Sequence, residues 1–377
     1  LRTAITAVWA TIVCAFFIQT ANSLQTDLIS LMADGVFSSS VIGALMAIYY
    51  AGYIFAPFFG RVLIARIGHA GTVVFAMVLP AAVILVQPLI ITGPAWALFR
   101  LLSGFAMSLS YVAVESWIHG RVENAQRGRV FSLYMFAQLL GMTVAQGLFG
   151  LGSVNEYGMF AAAAALFLCA AVPVVLSRRS APSGIPPMPL ALPTLFRLAP
   201  MGACATVLAG LSWAILFTFG PVYAKRVGFD ISGIGLFMAL AVAAGGLVQM
   251  PAGWTSDHLG RRPVLFILFG GGVVASLLAI IAQGATASLI AVALSGGFIF
   301  PIYAVSAAAV NDHVAQEARV AAAGGLVLLF GIGSVFGPLL CGALMGAIGP
   351  YGFFVLLAAT MATGFVTTLL FAHHRAV

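Results

Sequence analysis

Long apolar blocks follow one another along this chain, separated by short stretches where polar, charged, Gly and Pro residues gather. Most blocks show no polar face. They fall near 5–27, 39–60, 70–91, 95–117, 129–150, 158–177, 199–223, 232–252, 263–284, 286–310, 320–345 and 350–372. Each runs for about 20 residues, the length an α-helix needs to cross a hydrocarbon core of ~30 Å. Barrel strands are about half as long. Hydrocarbon offers the backbone no hydrogen bonds, so such blocks must satisfy their own as helices. The pattern predicts an all-α membrane protein with twelve transmembrane helices.

The blocks also repeat. Shifted by 192 residues, Ser40-x-Ile42-Gly43 falls on Ser232-x-Ile234-Gly235, and Gly68 falls on Gly260. Ser103-Gly104 with Tyr111 meets Ser295-Gly296 with Tyr303, while Arg127, Gly141 and Gly150 meet Arg319, Gly333 and Gly342. A period this long marks a duplicated domain rather than a solenoid. Duplication in the same orientation, in so apolar a chain, points to a transporter built from two parallel halves. The expected domains are two pseudo-symmetric six-helix bundles, 1–177 and 199–377, joined by a linker at 178–198. Pro182, Pro186, Pro187, Pro189 and Pro193 fall within it, so extended structure is expected there.

Composition agrees with the pattern. The chain is 62% hydrophobic and 7% charged, against about 25% charged in soluble domains. Its net charge of +7 suggests nucleic acid until the cations are placed. Arg2, Arg61, Arg66, Arg121, Arg127, Arg129, Arg178, Arg179, Arg197, Arg261, Arg262, Arg319 and Arg375 fall on one side of the twelve-helix arrangement. Lys225 and Arg226 fall on the other, and Arg100 lies inside a helix. This asymmetry puts both termini in the cytoplasm of a multi-pass inner-membrane protein. A cleaved signal peptide is the alternative for residues 1–20, but the asymmetry needs that segment as the first helix. A few residues before Leu1 are expected to be missing.

Cys14, Cys169, Cys204 and Cys341 stand singly, as small apolar fillers. The six His residues lie at cytoplasmic edges or in the tail, with no metal cluster and no buried relay. Lys225 is the only Lys and has no phosphate-binding loop around it, so ATP cannot bind through one. No metal or cofactor is expected.

The loop after the eighth block reads Gly253-Trp254-Thr255-Ser256-Asp257-His258-Leu259-Gly260-Arg261-Arg262. It resembles the G-x-x-x-D-[RH]-x-G-R-[RK] signature of the major facilitator superfamily. Its glycines permit a tight turn, Asp257 is suited to cap a helix N-terminus, and its arginines hold the cytoplasmic side. The first-half copy is degraded: Arg61, Ala65 and His69 replace Gly253, Asp257 and Arg261, and Gly68 is kept. Arg100-Leu101-Leu102-Ser103-Gly104 resembles the R-x-x-[QS]-G motif of the fourth helix, linked in proton-coupled members to coupling. Gly333-x-x-x-Gly337-Pro338 on the eleventh helix resembles a G-x-x-x-G-P motif that antiporters carry on the fifth, where Gly141-Met142-Thr143-Val144-Ala145-Gln146-Gly147 has no proline. Val114-Glu115-Ser116, Arg127-Gly128-Arg129 and Leu133-Tyr134-Met135 are similar to the YcaD-like branch. The resemblance implies the major facilitator fold and gating by Gly253, Asp257, Gly260, Arg261, Arg262, Gly333, Gly337 and Pro338.

Function is expected where the halves disagree. Gln19, Asn22 and Gln25 form a stripe on the first helix, yet their mirrors are Leu211, Ala214 and Phe217. Asp27 mirrors Phe219, Arg100 mirrors Val292, and Glu115 mirrors Ala307. Arg100, Gly104, Tyr111 and Glu115 share one face of the fourth helix, with Arg100 and Glu115 about 22 Å apart. An Arg at a helix centre costs roughly 2.5–3.5 kcal/mol on insertion scales, so this face is expected to meet a watery cavity. Plainer readings stand beside these. Arg100 snorkels to the interface, Glu115 pairs with Arg121, Arg127 or Arg129, and Asp27 is a solvated helix end. The amides then serve as helix–helix glue.

Trp213 and Phe217 on the seventh helix, Phe300 and Tyr303 on the tenth, and Tyr134 and Gln138 on the fifth add an aromatic wall. Singly each fits packing; together with the amides they suggest a pocket for a small amphipathic organic solute with a ring. The function expected is secondary active transport by alternating access, proton-coupled through Asp27, Arg100 and Glu115. Multidrug or metabolite efflux by antiport is the close rival, and a non-transporting membrane sensor is the reading from another class. The partners expected are the solute, protons and lipid, with no nucleic acid, around a monomer that is not an enzyme.

Overall fold

The protein is described by a computed structural model over residues 2–122, 124–152, 157–182, 184, 190–315 and 318–371. Expectations that fall on Arg375, Pro186, Pro187 and Pro189, and on the side chains of Arg2, Arg127 and Arg129, lie outside the described residues.

Among the described residues the regular structure is helical: α1 (Arg2–Asp34), α2 (Ser39–Val86), α3 (Gly93–Arg121), α4 (Asn124–Gly150), α5 (Tyr157–Leu176), α6 (Leu192–Leu198), α7 (Pro200–Arg226), α8 (Ile231–Leu259), α9 (Arg261–Ala282), α10 (Ala285–Asn311), α11 (Arg319–Ile348) and α12 (Gly352–Leu370). Ten helices in this set are long and apolar enough to cross a membrane. The fourth and fifth predicted helices are α3 and α4.

One boundary follows the pattern and one differs. The blocks at 39–60 and 70–91 lie on either side of Gly68, where α2 breaks into two helices at φ 74° and ψ 173°. The first of these runs past residue 60 and carries Arg61 and Arg66, side chains that can reach water from a helix continuing past the membrane surface. The linker is not extended throughout. Residues 192–198 form α6 with Pro193 in its first turn, where the missing N–H of proline costs nothing.

The chain divides into two compact units, residues 1–32 with 48–187, and residues 33–47 with 188–377. In the first, Arg121 Nη2 donates to the Ala181 carbonyl at 3.0 Å, and Gly120 lies against the Pro182 ring. In the second, Leu190 N–H donates to the Ala321 carbonyl at 2.7 Å. Leu195 of α6 there enters a buried cluster with Ala203, Val310, Ala322 and Leu326.

Burial runs opposite to that of a water-soluble protein. Asp27, Arg100, Gln25, Gln146 and His69 are buried, whereas Phe55, Phe59, Leu247, Met250 and Ile281 are exposed. Exposed apolar surface on this scale is expected where the solvent is lipid.

The duplication reappears in backbone geometry. Gly68 and Gly260 both take positive φ, 74° and 91°, a region L-residues rarely enter. A methyl on Gly104 would overlap the carbonyl oxygen of Tyr49; one on Gly296 would overlap that of Ala241. Tyr49 and Ala241 are also 192 apart. Thus α2 crosses α3 as α8 crosses α10, each backbone to backbone, the close approach that small residues permit where lipid removes the hydrophobic drive.

In the second unit the segment at 33–47 is held by charge and by close packing. Arg226 Nε and Nη2 both donate to Asp34 Oδ1, at 2.9 and 2.7 Å, and Lys225 Nζ lies 3.2 Å from Asp34 Oδ2. Asp34 and Arg226 are themselves 192 apart. Gly43 fits against the Pro338 carbonyl and the Cα of Gly342.

Candidate functional site

The polar side chains of the first unit converge in pairs that join α1 to its neighbours. Asp27 is fully buried and accepts a hydrogen bond from Gln146 Nε2 of α4 at 2.9 Å, while its Oδ1 has no partner. Gln25, also fully buried, donates through Nε2 to Ser103 Oγ of α3 at 3.3 Å. Asn22 Oδ1 accepts from the Tyr49 hydroxyl at 3.0 Å, and Gln19 Oε1 from the Tyr111 hydroxyl at 2.6 Å. The amide stripe of α1 therefore has a partner at every position.

On α3, Arg100 is 2% exposed and its guanidinium carbon lies 4.3 Å from the centre of the Tyr49 ring. Snorkelling is ruled out by that burial. Its Nε and Nη1 have no hydrogen-bond partner. Neither Asp27 nor Glu115 lies within ion-pair distance of it; the ion pairs among the described residues are elsewhere. Glu115 is half-buried and accepts from the Tyr134 hydroxyl of α4 at 3.3 Å. Arg121 is not its partner, because that side chain reaches Ala181. Asp27 is not a solvated helix end either: α1 continues seven residues beyond it, to Asp34. Gln138 donates to Met135 Sδ of its own helix at 3.7 Å.

In the second unit Trp213 gathers the aromatic wall. Its ring centre is 4.9 Å from Phe217, 4.4 Å from Phe300 and 6.2 Å from Phe330. Phe330 in turn lies 5.3 Å from Tyr303. Phe217 and Phe300 are buried and Trp213 and Tyr303 half-buried. Such offset and edge contacts are the arrangement aromatic quadrupoles favour.

The loop between α8 and α9 does not work by capping. No side chain caps α9 at Gly260. Asp257 instead pairs with Arg261 Nη1, which also donates to Ser256 Oγ at 2.8 Å. Arg261 Nε donates to Asp312 Oδ2 at 2.9 Å, tying the loop to the end of α10. A guanidinium bridging two carboxylates satisfies more donors than one cap does. Arg262 Nε donates to the Thr368 carbonyl at 2.8 Å. In the first unit, His69 stands at the position of Arg261 and its Nε2 lies 2.7 Å from Ser116 Oγ of α3. His69 is buried. On α11, Gly333 and Gly337 face the carbonyls of Val207 and Leu211, and Pro338 faces Gly43. No metal-binding group of His, Cys, Asp and Glu occurs among the described residues.

Sequence reasoning missed Tyr49, Gln146, Asp312 and the Ser116 partner of His69. Two of these carried a readable signal. Tyr49 mirrors Ala241 and Gln146 mirrors Pro338, the same polar-to-apolar disagreement that singled out Asp27 and Arg100. Asp312 mirrors Gly120, but its place beyond the membrane block concealed it.

Comparison with known proteins now bears on this arrangement. The chain matches the family described as Major Facilitator Superfamily over residues 8–230 and 202–376. A relative in Escherichia fergusonii, named an uncharacterized MFS-type transporter YcaD, is 26% identical over 320 residues, covering 84% of this chain and 83% of the relative. An uncharacterized MFS-type transporter of Yersinia pestis is 25% identical over 339 residues, 89% of this chain and 85% of that one. Among solved structures, the nucleoside transporter NupG superposes with a TM-score of 0.76 at 15% identity, covering 97% of this chain and 98% of NupG. A bacterial homologue of the human lysosomal transporter Spinster, inward-facing and unoccupied, gives 0.71 at 15% identity over 97% and 95% of the two chains.

Proposed function

Because this chain belongs to the Major Facilitator Superfamily, with YcaD-like transporters among its relatives, we propose that it carries a small amphipathic organic solute, with a ring, across the inner membrane by alternating access, driven by protons. It is a multi-pass membrane protein. In this reading twelve spans form two six-helix bundles, both termini are cytoplasmic, and one chain suffices. Asp27 and Glu115 take up and release the proton, and the amide groups of α1 hold the solute. Asp257, Arg261 and Arg262 hold the cytoplasmic gate.

One observation carries the coupling claim: Asp27 is fully buried, has one neutral donor, forms no ion pair among the described residues, and leaves one oxygen unpaired. A carboxyl that loses water keeps its proton more readily, and one regaining water releases it. Alternating access supplies both conditions in turn. Glu115, held by a phenol rather than an arginine, is the second candidate. The same chemistry supports an antiport direction equally, because proton release on either side obeys the same cycle.

The test is accumulation in proteoliposomes under an imposed pH gradient, screened over a library of ring-containing solutes. Asp27→Asn and Glu115→Gln are expected to abolish accumulation while sparing downhill exchange. If the double substitution still concentrates solute, coupling does not run through these residues.

A further inference from the structure

The guanidinium of Arg100 is a buried cation without a counterion. It is 2% exposed, Nε and Nη1 have no partner, and no carboxylate among the described residues pairs with it. The Tyr49 ring at 4.3 Å offers a cation–π contact, worth far less than the cost of removing a full charge from water. Buried charges of this kind are kept for use when nothing in the fold neutralises them.

The surroundings are built rather than incidental. Arg100 lies one turn before Gly104, where α2 and α3 touch backbone to backbone, and Gly52 meets the Leu101 carbonyl on the same crossing. Tyr49 is anchored through its hydroxyl to Asn22. Three residues on from Arg100, Ser103 holds Gln25, whose Oε1 is buried and unpaired. Two guanidinium donors and one amide acceptor are thus fixed on rigid helices. In the second repeat the same position is Val292, fully buried, so the charge answers no packing need of the crossing.

We infer that Arg100 is the receptor for an anionic group on the transported solute, making the cargo class an organic monoanion, a carboxylate on a ring-bearing body. One guanidinium offers two parallel N–H donors to one carboxylate and balances a single negative charge, which disfavours dianions. The Gln25 carbonyl oxygen then accepts from a hydroxyl or N–H of the same solute. This rests on the transporter reading but assigns Arg100 to the cargo instead of to the coupling acids.

The test uses the purified full chain in detergent and matched pairs of probes: benzoate with benzamide, 1-naphthoate with 1-naphthamide, and indole-3-acetate with indole-3-acetamide. Binding is read by thermal shift and confirmed by equilibrium dialysis. The wild type is expected to favour a carboxylate over its amide by about tenfold or more, the usual worth of a charge-assisted hydrogen bond. In Arg100→Gln the ratio falls to about one, and in Arg100→Lys, which keeps charge but loses the fork, it is intermediate. Arg100→Gln without probe is expected to melt no earlier than the wild type, since a costly charge has been removed, whereas a structural role lowers its Tm. The inference is overturned if amides bind the wild type as well as carboxylates, if no carboxylate binds it, or if the preference survives in Arg100→Gln. Neutral probes that bind and are carried into proteoliposomes leave the transporter reading standing while the anion assignment falls. The wild-type comparison needs no variant to fold.

Discussion

Replacing Gly104 with alanine adds one methyl where the structure has no room for it. Its Cβ would stand 2.7 Å from the carbonyl carbon of Tyr49 and 3.1 Å from its Cα, against the ~3.5–4.0 Å of ordinary contact. The obstacle is backbone, so no rotamer change relieves it, and α2 must retreat from α3 by roughly 1 Å. Overpacking of this kind costs about 1–3 kcal/mol. Helix propensity returns about 1 kcal/mol of that, because alanine is the better helix former. The expected net loss is therefore about 0–2 kcal/mol. Gly147→Ala on α4 supplies the control: nothing lies within 4 Å of its added methyl, so only the propensity gain remains. Reversible unfolding in mixed micelles titrated with a denaturing detergent measures both. Because the displaced residue is Tyr49, the same variant should also weaken solute binding at Arg100. If Gly104→Ala unfolds at the same point as Gly147→Ala, the crossing is not as tight as described and the argument fails.

Further outcomes are open to measurement. Gly296→Ala should cost about as much as Gly104→Ala by the same unfolding assay, since its methyl meets the Ala241 backbone at 2.6 Å; a harmless substitution there would end the symmetry argument. Asp312→Asn should leave folding nearly unchanged, an exposed pair being worth about 0–1 kcal/mol, yet lower turnover if the Arg261 cluster is a gate; unaltered uptake kinetics would rule that out. Asp34→Ala should destabilise the second unit by about 1 kcal/mol at low salt and by less at high salt, read from the unfolding midpoint at two ionic strengths. In a background without Cys14, Cys169, Cys204 and Cys341, a cysteine at Thr92 should react with an impermeant maleimide in intact cells, whereas one at His258 should not; the reverse pattern would invert the topology.

The spans were legible because hydrocarbon imposes one solution on an apolar block, and the sequence displays those blocks plainly. Their ends were less so. Arg61 and Arg66 look the same in a loop as on a helix protruding into water, so the extension of the first helix of α2 past residue 60, to its break at Gly68, was hidden. Pro193 looks like a breaker until it is known to occupy a first turn. At the site, comparing the repeats found Asp27, Arg100 and Glu115 because charge stood against hydrocarbon. It did not reveal who holds them: Gln146, Tyr49 and Tyr134 come from helices whose facing directions depend on crossing geometry. Nor could it show that Arg100 lacks a carboxylate, because the acids on its own and neighbouring helices were candidates until their distances were known.

The Asp34–Arg226 contact carries a record of descent. The two residues hold equivalent places in the repeats, and they touch. In an ancestor assembled from two separate, identical copies, this place would have met its own duplicate. Acid would have faced acid, or base faced base, and like charges at such a distance repel. Attraction between unlike side chains at a self-meeting position requires that the copies be free to differ, which duplication allows. The clasp is therefore younger than the duplication that made two distinct copies, and a symmetrised chain carrying aspartate at both places, or arginine at both, would rebuild the older and weaker contact.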